Sequence, residues 1–188
     1  MGHVLSNGLE LIGTGTNIWK DKNLEQSIEN MVKMVEKDSS ITDRERKHAA
    51  AIQAWSQGFV VKALDTWEEI LTLHPTDVTA LKFAHDSYFY LGYQDQMRDS
   101  IARVLPHWND TVPLYGFLHG MYAFGLVETN FYNKAEKHAR QARRQLLRLG
   151  GSQKLHRSFT EALQKLYRSF TEALQKLYRS FTEALKFM

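Results

Sequence analysis

The chain has 188 residues, 43% apolar and 12% aromatic, with a formal net charge of +3 and no cysteine. Such a composition supports a buried globular core and excludes disulfides, thiolate nucleophiles and cysteine-bound zinc. Residues 1–142 carry 14 basic and 18 acidic side chains, whereas residues 143–188 carry 10 and 3, so the basicity belongs to the tail. The balance of the body therefore gives no reason to expect nucleic acid as a partner.

The chain begins Met1-Gly2-His3-Val4-Leu5-Ser6, which fits the short N-myristoylation template, and it shows no signal or transit pattern. No apolar run approaches the roughly 20 residues of a membrane span, so stable membrane insertion is not expected. Gly13-Thr14-Gly15 lacks the third glycine and downstream acid of a dinucleotide site and the Gly-Lys of a P-loop; it reads as the loop ending a helix. Apolar residues three and four apart follow at Leu24, Ile28, Met31, Val32 and Val35, the signature of a helix packed on one face. Thr42 with Glu45 forms a capping box that opens the next helix. Gly58, Pro75-Thr76-Asp77 and Gly92 then punctuate helices of about 12 to 16 residues.

Gly58 and Gly92 lie 34 residues apart, the tetratricopeptide period. With Pro75 closing a unit that opens at Arg44, Ala51, Gly58, Ala63 and Trp67 take its small, turn, small and aromatic packing positions. Antiparallel helices approach closely only where Ala or Gly replaces a bulky side chain, and an aromatic ring fills the gap to the next hairpin. A second unit from Val78 places Tyr88 and Gly92 in register, with Met97 and Pro106 imperfect. A third from Gly116 supplies Ala123, Asn130, Tyr132 and Ala135. The reading is an all-α, tetratricopeptide-type solenoid of helical hairpins; a generic helical bundle is the alternative. Its parts are N-terminal helices over 1–43, repeats over 44–142, a basic and glycine-containing linker over 143–152, and a tail over 153–188.

That tail repeats every eleven residues, as Gln153 to Leu163, Gln164 to Leu174 and Gln175 to Leu185. Leu166, Tyr167, Phe170, Ala173 and Leu174 share one face of a long amphipathic helix, and Arg168, Glu172 and Lys176 fall four apart on another. Self-association through the apolar stripe, a basic helix held by a membrane surface or an acidic partner, and a duplicated segment without selected function all remain open.

Several stretches resemble the tetratricopeptide repeat protein 38 family: Leu11-Ile12-Gly13-Thr14-Gly15, His74-Pro75-Thr76-Asp77, Ala80-Leu81-Lys82-Phe83, Tyr88-Phe89-Tyr90-Leu91-Gly92-Tyr93 and Glu128-Thr129-Asn130-Phe131-Tyr132. The resemblance covers residues 1 to 142. It implies a cytoplasmic helical-repeat protein without an assigned enzymatic activity, and it supplies no catalytic residues. Members of that family extend beyond both ends of the stretch, so the chain reads as truncated, and whether Met1 is the biological start stays open.

Chemistry-bearing motifs are scarce. The eight histidines never fall at H-x-x-x-H or H-E-x-x-H spacing, so no metal or other cofactor is expected. His85 and Asp86 are adjacent and point different ways on a helix, which suits capping or groove contacts better than acid–base work. Tetratricopeptide proteins usually present the first helix of each hairpin to a concave groove. The inward positions here are His48, Ile52, Lys82, Phe83, Asp86, Tyr90, Phe117, Met121 and Phe124. They lack the Lys and Asn clamp with which chaperone-binding relatives hold a peptide carboxylate, so an apolar or helical protein ligand anchored by aromatics is expected. A neighbouring helix filling the groove is the competing reading. The functional expectation is a non-catalytic protein–protein interaction scaffold, not an enzyme. The alternative is a fragment of a larger helical-repeat protein whose active site lies outside this chain.

Overall fold

The computed structural model of the protein describes residues 1–148, and these are all-helical, without a strand. In order they form α1 (Gly2–Gly8), a π-helical turn (Leu9–Gly13), α2 (Lys22–Lys37), α3 (Asp43–Ser56), α4 (Val60–Leu73), α5 (Val78–Leu91), α6 (Gln94–Val104), a 3-10 turn (Leu105–His107), α7 (Tyr115–Glu128) and α8 (Tyr132–Arg148). One compact unit is Met1–Ala142; the second starts at Arg143, and only the end of α8 is described within it. The eleven-residue repeats of 153–188 lie outside the described residues.

The helices start where the sequence supplies caps. The Asp21 carboxylate accepts from the backbone N–H groups of Asn23 and Leu24, both at 3.0 Å. Thr42 and Glu45 exchange the two bonds of a capping box: Glu45 N–H donates to Thr42 Oγ1 at 3.3 Å and Thr42 N–H to Glu45 Oε2 at 3.2 Å. Each satisfies N–H groups that a helix start leaves orphaned, a contribution of about 1 kcal/mol per cap.

Each of the helices from α2 to α6 packs against the next in sequence, α7 meets α8 at His119 and His138, and α1 rests on both α2 and α3. The turns α3–α4, α5–α6 and α7–α8 are built alike. Gly58, Gly92 and Asn130 adopt φ of 88°, 71° and 65°, in the left-handed region. The next residue in each case, Phe59, Tyr93 or Phe131, donates its N–H five residues back, to Ala54 O, Tyr88 O and Leu126 O at 2.9, 2.9 and 2.8 Å. This is the Schellman closure, which satisfies carbonyls at the helix end and needs a residue that tolerates positive φ; hence Gly twice and Asn once.

The small residues sit where the approach is closest. Ala51, Ala63, Ala123 and Ala135 are buried, and Trp67 is fully enclosed with its ring 5.7 Å from that of Phe83. The middle hairpin departs from this pattern: at the places of Ala51 and Ala63, 34 residues on, stand His85 and Met97, both buried. Two larger buried groups thus stand where the first hairpin has two alanines. Gly92 and Asn130 are 38 residues apart, four more than Gly58 and Gly92. The stretch between α6 and α7 contains the 3-10 turn and Trp108, whose Nε1–H donates to Pro75 O at 2.7 Å. Pro75 thus anchors the loop by its carbonyl, beyond closing the first unit.

One expected packing position is corrected. Tyr132 does not fill a gap between hairpins: its side chain is 60% exposed and its hydroxyl donates to Asn130 Oδ1 at 2.7 Å. As the first residue of α8 it lies beside the turn, outside the layer where α7 and α8 meet.

Candidate functional site

The nine expected groove residues separate into two groups. His48 and Ile52 on α3 are 0% exposed and Phe83 on α5 is 3% exposed, so these three line no open surface. What covers Ile52 and Phe83 is α1. A Cβ placed on Gly8 would overlap the Phe83 ring and come within 3.0 Å of Ile52 Cδ1, so only the missing side chain of glycine admits this approach. The π-helical turn that follows buries Leu11 and Ile12 completely, and the Tyr90 hydroxyl donates to Ile12 O at 2.7 Å. The N-terminal part of the expected groove is therefore filled in cis, and the assignment of His48, Ile52 and Phe83 as partner-binding residues is corrected to core.

The other six remain at or near the surface. Lys82 is exposed and ion-paired with Asp86 one turn on; Phe117, Met121 and Phe124 of α7 are half-buried; Tyr90 keeps 53% of its surface. Phe89 joins the two helices, its ring 5.6 Å from Phe124 and 6.1 Å from Tyr90. The result is an aromatic and thioether surface on α5 and α7, edged by one ion pair and continuous with the seat of α1.

His48 has a different role from the expected one. Its Nε2 lies 2.9 Å from Asp77 Oδ2, both side chains are buried, and Arg44 Nε approaches the same oxygen at 3.3 Å. Asp77 Oδ1 accepts from Thr79 N–H and Ala80 N–H at 3.0 Å and so caps α5. Burial raises the Asp77 carboxyl, but the His48 hydrogen bond, the Ala80 N–H and the charges of His48 and Arg44 outweigh it and hold the group below its usual value of 3.8. Every oxygen of this carboxylate serves α3 or α5, so the His–Asp pair is structural. The adjacent His85 and Asp86 stay apart in role: Asp86 takes Lys82, whereas burial and the Lys82 charge push the His85 ring down to about 3.

Sequence spacing gave no notice of one pair. His119 Nδ1 on α7 and His138 Nδ1 on α8 lie 2.9 Å apart, 19 residues distant in the chain. The only available signal was that each has a buried alanine on its own helix face, Ala123 four residues after His119 and Ala135 and Ala142 flanking His138. Among the described residues no group of three or more His, Cys, Asp or Glu side chains converges as a metal site. None of the helices there is long and apolar enough to cross a membrane.

No protein-family model matches the chain, and no solved structure matches it.

Proposed function

We propose that the chain is a non-catalytic protein–protein interaction scaffold, a tetratricopeptide-type stack of hairpins of the protein 38 kind, acting in the cytoplasm. Its proposed ligand is an amphipathic helix received on the α5–α7 surface at Tyr90, Phe117, Met121 and Phe124. The observation that supports this reading most directly is the seat of α1. There the chain places a helix of its own against α3 and α5, with Gly8 closest to the Phe83 ring. A surface that accepts one helix by aromatic contact, and continues beyond it as half-buried aromatic and thioether groups, suits a second helix laid alongside. The Lys82–Asp86 pair at the rim offers both signs of charge and so favours register over bulk affinity.

Site-specific photocrosslinking tests this. A benzophenone side chain at position 90 or 121 of the full chain should capture a partner that the same group at Trp19, exposed in the loop before α2, does not. Met121→Glu should abolish the capture while leaving thermal unfolding cooperative. Equal capture from all three positions would overturn the reading.

A further inference from the structure

Two imidazoles facing each other through the same nitrogen pose a chemical question that the scaffold reading leaves unanswered. The ring centres of His119 and His138 are 5.1 Å apart with Nδ1 atoms at 2.9 Å, so the nitrogens lie close to the line joining the centres and the lone pairs point at one another. Two ligands of one metal ion would instead converge on a third point beside them. Head-on lone pairs accommodate one proton between them.

We propose that His119 and His138 share that proton across the α7–α8 contact and form an acid-sensitive clasp, which holds the first turns of α8 on α7 at neutral pH and releases them in mild acid.

The outer nitrogens decide where the remaining proton sits. His119 Nε2 is buried and has no partner. A bare acceptor there is better tolerated than an orphaned N–H donor. His119 is therefore the Nδ1–H tautomer and donates, while the half-buried His138 accepts at Nδ1 and carries its own proton on Nε2. The only lone pair left for a further proton is His119 Nε2. Protonation would bury a charge and an unsatisfied donor together, and a second proton would set two N–H groups against each other and break the bond.

The surroundings do not compensate such a charge. From α7, the Tyr115 ring meets His119 edge to face with centres 4.8 Å apart, and the Tyr122 ring meets His138 likewise at 4.6 Å. On α6, Arg98 is taken by Asp95 and Asp99, and Arg103 by Glu68. On α5, Lys82 holds Asp86. On α8, Glu136 pairs with Arg140, Lys134 lies over the Phe131 ring, and Lys137 adds a further positive charge. Among the described residues no carboxylate hydrogen-bonds or ion-pairs with either ring. Burial and the neighbouring His138 push His119 from 6.5 down to about 4, and burial lowers His138. Both folded-state values lie below the unfolded value, so the stabilisation is present above about pH 6.5 and is lost as pH falls toward 4.

Long-range proton–nitrogen correlation spectra of the full chain labelled with nitrogen-15 histidine, at about pH 7.5, should give an Nδ1–H pattern for His119 and an Nε2–H pattern for His138. Hydrogen exchange, corrected for intrinsic rates, should show the opening constant of residues 132–142 rising about tenfold between about pH 7 and pH 5. His138→Asn, whose amide oxygen reaches the Nδ1 position without titrating, should remove most of that rise. Two Nε2–H tautomers titrating independently near pH 6.5, or protection of 132–142 that is equal at both pH values in the parent chain, would overturn the proposal. The tautomer pattern is read on the parent chain, so it decides even where the variant folds poorly.

Discussion

His48 and Asp77 meet 2.9 Å apart in the interior, bridging α3 and the start of α5, 29 residues along the chain. The same carboxylate caps α5 and takes Arg44 from the rim, so one side chain fixes the relation between two hairpins and the start of a helix. Substitution can divide these duties. Asp77→Asn keeps a capping oxygen but leaves His48 and Arg44 without their anion, and should cost about 2 kcal/mol. Asp77→Ala loses the cap as well and should cost about 1 kcal/mol more. Urea unfolding at neutral pH measures both. The Asp77 carboxyl is depressed, so its contribution is complete above its unfolded value near 3.8 and declines as pH falls through the lower folded value. The gap between the parent chain and Asp77→Asn should narrow only below about pH 4.

The seat of α1 makes a second prediction. Phe83 is enclosed and in contact with Trp67, so it has no room to swing away from a new methyl group on Gly8. Gly8→Ala gains helix propensity of about 1 kcal/mol, which overpacking of about 1–3 kcal/mol offsets or exceeds. Gly8→Val, larger and β-branched, should lower the melting temperature clearly. Phe83→Leu in the Gly8→Ala background should cost less than it does alone, and a double-mutant cycle reads that coupling.

How far these relationships were legible depends on whether they are local. The Thr42–Glu45 box and the turns at Gly58 and Gly92 follow from residues a few positions apart, and the structure has them where the spacing puts them. The groove did not transfer as well. Periodicity tells which residues share a face of α3 or α5, and His48, Ile52 and Phe83 do face inward; it cannot tell that α1 folds back over that face. Gly8 carried the only hint, a glycine inside a helix where Ala would be the better former. His119 with His138 and His48 with Asp77 were invisible for the same reason: each joins helices through geometry that no short spacing encodes. The eleven-residue repeats, the most regular feature of the sequence, lie outside the described residues.

The three Schellman turns provide the last prediction, because they differ in the residue that bears the positive φ. At Gly58 and Gly92 nothing crowds a built Cβ, so strain in the backbone is the whole effect of adding one. Gly58→Ala and Gly92→Ala should each cost about 1 kcal/mol. Asn130 already carries a side chain at φ 65°, and its Oδ1 accepts from the Tyr132 hydroxyl at 2.7 Å. Asn130→Gly exchanges that exposed hydrogen bond and the stiffer unfolded chain for relief of strain, and should change stability by less than about 0.5 kcal/mol. Asn130→Ala loses the bond without gaining the relief and should cost about 1 kcal/mol. Thermal unfolding of the four variants orders them. If Asn130→Ala were neutral while the two glycine variants were costly, the α7–α8 turn would have to relax out of the left-handed region, and its likeness to the other two turns would be lost.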